Sequence, residues 1–133
     1  MFIDTSFCID LMRERARGED GPAVRKLQEL GDMPLYMSLF VACELHAGVR
    51  MASRSGDELR KVERLMDLVE LVLPDRTLAV AYGEVEAAVR RKGRPVPSMD
   101  LLIGTMAKMH GMPLLAGRDN HFRDIPGLLV ESY

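Results

Sequence analysis

The sequence predicts an α/β protein: a three-layer α/β/α sandwich around a mostly parallel sheet of four or five short strands. Three observations carry this. Short apolar runs at Met1–Ile3, Pro34–Met37, Val69–Leu73, Pro113–Ala116 and Leu128–Val130 alternate with longer stretches of helical periodicity, the order that βαβ units produce. Apart from Glu70 the runs are apolar throughout, as strands covered on both faces are. The chain of 133 residues has no repeat, low-complexity tract or long linker, so residues 1–133 form one domain.

The first run ends at Asp4 and turns at once into a helix, with Thr5 or Ser6 expected as its cap. That helix runs through Ile9, Leu11 and Met12 and ends in the charged segment Arg13–Asp20, broken by Gly18 and Gly21. Pro22 is a natural first helical residue, and a second helix carries Val24, Leu27 and Leu30 up to Gly31. After the second strand, Ser38 is expected to cap a helix from Leu39 to about Met51, with Val41, Leu45 and Val49 on one stripe and Glu44 beside it. A further helix between Asp57 and Val69 leads into the third strand, which Pro74 stops. Asp75 or Thr77 starts the next helix. It closes with Arg90-Arg91-Lys92-Gly93, cations and then glycine, a C-terminal signature. Arg94–Pro97 is an extended connector. Ser98 is expected to cap a helix through Leu102, Ile103 and Met106, closed by Gly111, before the last two strands.

Composition narrows the function. The formal charge is −2 and the pI about 5.9, so no global field attracts nucleic acid, and polyanion binding would rest on local basic clusters or bound cations. Cys8 and Cys43 fall inside predicted helices with no CxxC or Cys/His pattern, which argues against zinc or a redox pair. Two buried free thiols suit a reducing cytoplasm, and the expected localisation is cytoplasmic. No signal peptide or membrane-spanning run is expected, since Asp4 and Asp10 interrupt the early apolar stretch.

Four acids fall in comparable places. Asp4 ends the first strand, Glu44 and Asp100 sit early in helices, and Asp119 follows the fourth strand closely. In a doubly wound sheet such positions share one edge, where these folds bind ligands. Clustered carboxylates repel and are costly to desolvate, so the cluster calls for a cation. Oxygen donors without a nearby histidine select Mg²⁺ or Mn²⁺, and such a site activates water for hydrolysis of a phosphodiester. Each acid also has a structural explanation. The helix dipole alone favours Glu44 and Asp100, and Asp-Asn is common turn chemistry at Asp119. Asp4 is the strongest of the four, because a carboxylate at the end of a buried strand is uncommon. Thr5 and Ser6 are expected to support Asp4. Arg94 and His121 are candidate substrate contacts, whereas Asp10 is expected to be a solvated helix residue.

Four segments carry a family resemblance: "FIDTSFCIDLM", "SLFVACELHAGV" with Glu44, "VPSMDLLIGTMAKMHGMPLLAGRDNHF" with Asp100 and Asp119, and the ending "IPGLLVESY". Together they resemble a PIN-domain ribonuclease, and more narrowly the VapC toxins of type II toxin–antitoxin pairs, almost end to end. The resemblance implies a PIN fold and an Mg²⁺- or Mn²⁺-dependent endoribonuclease. It further implies a small VapB-type antitoxin as inhibitor, whose C-terminal segment crosses the active site, and a homodimer. It assigns the catalytic and metal-binding roles to Asp4, Glu44 and Asp100, with Glu44 acting directly or through water, and gives Asp119 the fourth place. Many members carry an asparagine and then an acid just before the phenylalanine of this last loop. Here the order is Arg118, Asp119, Asn120, His121, Phe122, so His121 stands where that acid often is.

Rival classes fit less well. A HAD-type phosphatase needs a second Asp two residues after the first, where Ser6 stands. A receiver-like signalling module wants an acidic pair after its first strand. A housekeeping PIN nuclease and an inactive PIN scaffold remain as alternatives to a toxin.

Overall fold

A computed structural model describes residues 1–118 and 120–133. Among the described residues the chain forms β1 (Phe2–Ile3), α1 (Thr5–Arg17), α2 (Pro22–Leu30), β2 (Tyr36–Ser38), α3 (Leu39–Met51) and α4 (Ser55–Met66). Then follow β3 (Glu70–Val72), α5 (Thr77–Arg91), α6 (Ser98–Met109), β4 (Leu114–Ala116), a 3₁₀ turn at Phe122–Asp124 and β5 (Val130–Ser132). The strands make one sheet in the order β3-β2-β1-β4-β5, and every pairing is parallel.

β1 is therefore central, and the chain winds outward from it in both directions. Right-handed crossovers then place α1 to α4 on one face and α5 and α6 on the other. Phe2, Ile3, Phe7, Leu11, Met37, Val41, Leu101, Ile103, Met106, Leu114 and Leu115 fill the centre with almost no exposure. Burial of each large apolar side chain contributes about 1.5–3 kcal/mol. The edge strands depart from the expectation of strands covered on both faces. Glu70 and Leu71 of β3 and Glu131 of β5 are exposed, because an edge strand has a neighbour on one side only and the helices cover the middle of the sheet.

Local details differ from the sequence expectation at several points. The cap of α1 is Asp4 itself, whose carboxylate accepts the Phe7 N–H, and neither Thr5 nor Ser6 takes that role. An aspartate serves here as well as a serine, having an acceptor of the right reach. Ser98 does not cap α6: it is the first helical residue, Pro97 precedes it, and no side chain bonds the first turn. Ser38 does cap α3, accepting the Val41 N–H. The second and fifth strands lie one to two residues later in the chain than their apolar runs. Cys8 is buried but Cys43 is exposed. The apolar stripe of α3 runs through Val41, Ala42, Leu45 and Val49, and that spacing turns position 43 outward.

The start of α2 has no side-chain cap of its own. Glu14 of α1 supplies the acceptor from a distance, taking the N–H groups of Ala23 at 3.3 Å and Val24 at 2.8 Å. The buried carboxylate thus completes a helix N-terminus where negative charge is favoured. Gly21 permits the approach, because a Cβ there would fall 2.2 Å from the Glu14 carboxyl carbon.

Candidate active site

The site lies at the carboxyl end of β1, where the strand order reverses between β1 and β4, the ligand-binding edge of open α/β sheets. Asp4 is 5% exposed. Its backbone N–H donates to Leu115 O at 3.0 Å, which continues the β1–β4 pairing to the site itself. Its Oδ1 accepts the Phe7 N–H at 2.9 Å, and the Ser6 hydroxyl lies 2.9 and 2.7 Å from its two oxygens. Burial, with a smaller contribution from the negative charge of Asp100, raises the Asp4 carboxyl above its ordinary range against those hydrogen bonds.

Asp100 enters from the first turn of α6. A helix that leads into a parallel strand runs antiparallel to it, so the start of α6 lies at the same sheet edge as the end of β4. Asp100 is also raised, first by burial and then by the charge of Glu44, while His121 opposes the shift. Glu44 comes from α3, and the Thr5 hydroxyl donates to its Oε2. The three described acids thus form a chain of mutual repulsion, Asp4 to Asp100 to Glu44. Asp119 lies outside the described residues.

The loop after β4 closes this edge. The Gly117 N–H donates to Ser6 Oγ at 3.1 Å, and the Asn120 side-chain amide donates to Gly117 O. Ser6 therefore ties α1, the Asp4 carboxylate and this loop together. His121 is exposed and close enough to Asp100 to act on its charge. Arg94 is exposed, and its guanidinium donates to Asp124 at 3.0 Å. Its charge is thus partly satisfied within the chain.

Two groups at this edge were not expected. Tyr133 donates its hydroxyl to Asp10 Oδ2 at 2.9 Å and sets its ring edge-on against Phe7, with centroids 5.1 Å apart. Asp10 follows Ser6 by one helical turn, which was the legible part of the signal. The partner contributed by the last residue of the chain was not legible.

The donor set suits a hard cation. Among the described residues no Lys or Arg forms an ion pair with Asp4, Glu44 or Asp100, so the buried Asp4 and the half-buried Asp100 and Glu44 keep their negative charge uncompensated by a cationic side chain. Among the described residues no group of three acid, imidazole or thiol side chains stands close enough together to hold a metal ion. Two carboxylates with open positions are what Mg²⁺ uses when it keeps waters and binds phosphate oxygens. From Glu44 a groove of about 510 Å³ runs between α1, α3 and α4, lined by Met12, Leu45 and Val62 and by the charged Arg13, Arg17, Glu58 and Lys61, with Lys61 paired to Glu58 at 2.6 Å. None of the helices among the described residues is long and apolar enough to cross a membrane.

Comparison with known proteins gives a consistent picture. A family model described as PIN domain matches residues 1–128. The tRNA(fMet)-specific endonuclease VapC of Shigella flexneri is 23% identical over 131 residues, covering 98% of this chain and 96% of that protein. Ribonuclease VapC1 of Haemophilus influenzae (strain R2866) is 27% identical with the same coverage. Among solved structures, VapBC2 from Rickettsia felis bound to a DNA fragment from their promoter is similar at a TM-score of 0.87 and 21% identity, covering 98% of this chain and 96% of that one. That last likeness concerns the fold.

Proposed function

Because the chain belongs to the PIN-domain family, we propose that it is an Mg²⁺- or Mn²⁺-dependent endoribonuclease and the toxin of a type II toxin–antitoxin pair. The observation that carries the proposal is that Asp4, Asp100 and Glu44 stand within one another's electrostatic reach at one sheet edge, with no Lys or Arg among the described residues in an ion pair with any of them. Relatives named as a tRNA(fMet)-specific endonuclease and a ribonuclease support an RNA substrate.

Asp4 and Asp100 would hold the cation, with Glu44 completing its surroundings directly or through water and Asp119 in the fourth place. When bound, the cation neutralises charge on the scissile phosphodiester and activates water. The chain's own groups prepare that event. The Phe7 N–H and Ser6 hydroxyl orient Asp4. Thr5 holds Glu44 toward the α1 side of the site. His121 offers a group beside Asp100 for the phosphate or the leaving oxygen. Arg13, Arg17 and Lys61 line the groove leading away from Glu44, where they would track the RNA backbone.

A VapB-type antitoxin is the proposed partner, in line with the solved VapBC complex that the fold resembles. The apolar and charged side chains that line the same groove suit a partner segment that excludes RNA. Leu73 and Val80, 65% and 68% exposed, are the proposed centre of a homodimer contact.

The test is cleavage of RNA by the purified chain with Mg²⁺ or Mn²⁺, in excess EDTA, and in Asp4→Ala and Asp100→Asn variants checked for intact fold. The expected result is cleavage only with the cation and only in the parent. Unchanged cleavage in the variants, or cleavage in EDTA, would sink the reading. Co-purification with the product of a small adjacent gene separates a toxin from a housekeeping nuclease.

A further inference from the structure

The last residue of the chain stands at the site, and the sheet register puts it there. β5 pairs with β4 so that Ala116 faces Ser132. One residue further, Gly117 and Tyr133 leave the sheet side by side. Gly117 is the residue whose N–H fixes Ser6 Oγ. A Cβ placed on Gly117 would lie 3.2 Å from Ser6 Oγ and 3.9 Å from the Tyr133 hydroxyl, so the two oxygens flank one small space. The phenol is held at both ends: its ring packs edge-on against Phe7, and its hydroxyl donates to Asp10 Oδ2. Asp10 is in turn held by Arg13 at 3.1 Å.

This arrangement makes a short path to Asp4. Ser6 Oγ has one proton, directed at the Asp4 carboxylate, and it accepts the Gly117 N–H. The Tyr133 hydroxyl borders the same small space beside Gly117, the space into which the Ser6 hydroxyl would turn. Phe7 and Asp10 both belong to α1, so the tyrosine also clamps the end of β5 onto the helix that begins at Asp4. Burial pushes the phenol above its ordinary range; Ser6 opposes that shift, and Asp10 and Asp4 add to it.

We infer that Tyr133 is a positioning residue of the cation site: its hydroxyl, fixed by Asp10, holds Ser6 in the orientation that aims the Asp4 carboxylate. Ser6 contacts the proposed cation ligand, and Tyr133 acts through it. The inference rests on the nuclease reading above.

Tyr133→Phe keeps the ring against Phe7 and removes only the hydroxyl. Mn²⁺ affinity, measured by calorimetry or by paramagnetic resonance of the free ion, is the readout that does not depend on turnover. The expected loss is about tenfold, the scale typical of groups that orient a metal ligand, with a similar loss in RNA cleavage and little change in thermal midpoint. Ser6→Ala shows a loss at least as large, and adding Tyr133→Phe to it produces no further change. Parent-like Mn²⁺ affinity in Tyr133→Phe overturns the inference and leaves the nuclease reading standing. Full additivity of the two substitutions overturns the route through Ser6. Equal Mn²⁺ binding by the parent and Asp4→Asn overturns the site reading and this inference with it.

Discussion

Asp4 Oδ1 accepts the Phe7 N–H at 2.9 Å, so the acid at the centre of the site is also the N-cap of the first helix. One carboxylate carries two duties with opposite effects on stability. The cap stabilises the start of α1 by about 1 kcal/mol. The buried negative charge, facing Asp100, works against folding.

Asp4→Asn separates these duties. Asparagine caps a helix about as well as aspartate, while the charge and its repulsion from Asp100 are removed. The variant is expected to lose RNA cleavage and to unfold at a higher temperature than the parent in metal-free buffer. Saturating Mn²⁺ raises the parent's midpoint and leaves the variant's unchanged, since a ligand stabilises only the state that binds it. Thermal unfolding with and without Mn²⁺ is the measurement, and a lower metal-free midpoint for the variant would contradict it.

The pH dependence has a definite sign. Asp4 and Asp100 are both raised above the ordinary value of 3.8. Between that value and their higher folded values, the folded state holds protons that the unfolded state has released. Stability from these two groups is therefore greatest below the ordinary value and declines as pH rises through the window. In metal-free buffer the gap in midpoint between Asp4→Asn and the parent is expected to widen from pH 4 upward and then level off. A gap that narrows over that range would contradict the assignment.

Glu14→Ala leaves the N–H groups of Ala23 and Val24 without their acceptor. The expected cost is about 1–3 kcal/mol, read as a lower denaturation midpoint in urea. Glu14→Gln keeps an acceptor oxygen and is expected to lose less. RNA cleavage below the unfolding transition remains close to that of the parent, because this contact supports α2 and not the site.

Gly104 of α6 has no room for a side chain. A Cβ there would lie 2.4 Å from Ile125 Cδ1 and 3.3 Å from Phe122 Cδ1. Gly104→Ala is expected to destabilise by about 1–3 kcal/mol through overpacking. Ile125→Val removes the methyl group that clashes, so the double variant recovers part of the loss. Additive destabilisation in the double variant would locate the strain elsewhere.

Binding of RNA is expected to weaken with salt, as released counterions are recaptured. Arg17→Ala and Lys61→Ala, in the lining of the groove, each reduce the slope of log affinity against log salt by about 0.7 if they contact single-stranded backbone phosphates. Titration of a catalytically silent Asp100→Asn chain with RNA at several salt concentrations measures this. Unchanged slopes would direct the RNA elsewhere.

The alternation of strands and helices, the end of the first strand at Asp4, and the early helical positions of Glu44 and Asp100 are legible in the amino-acid order. These rest on local rules, namely apolar periodicity, proline and glycine punctuation, and the turn from strand to helix, which a short stretch of chain satisfies alone. Boundaries slipped where apolar character continues past the paired residues, as at Pro34 and Leu128. Packing between distant segments makes β1 central, lets Glu14 cap a helix nine residues away, turns Cys43 outward, and brings Asp100 within the field of both Asp4 and Glu44. It also sets Ala116 opposite Ser132 and so brings Tyr133 to the site. Each of these depends on which strand pairs with which and in what register, and on which face of a helix docks. Contacts between distant residues set those choices, and apolar patterning along the chain is compatible with several of them.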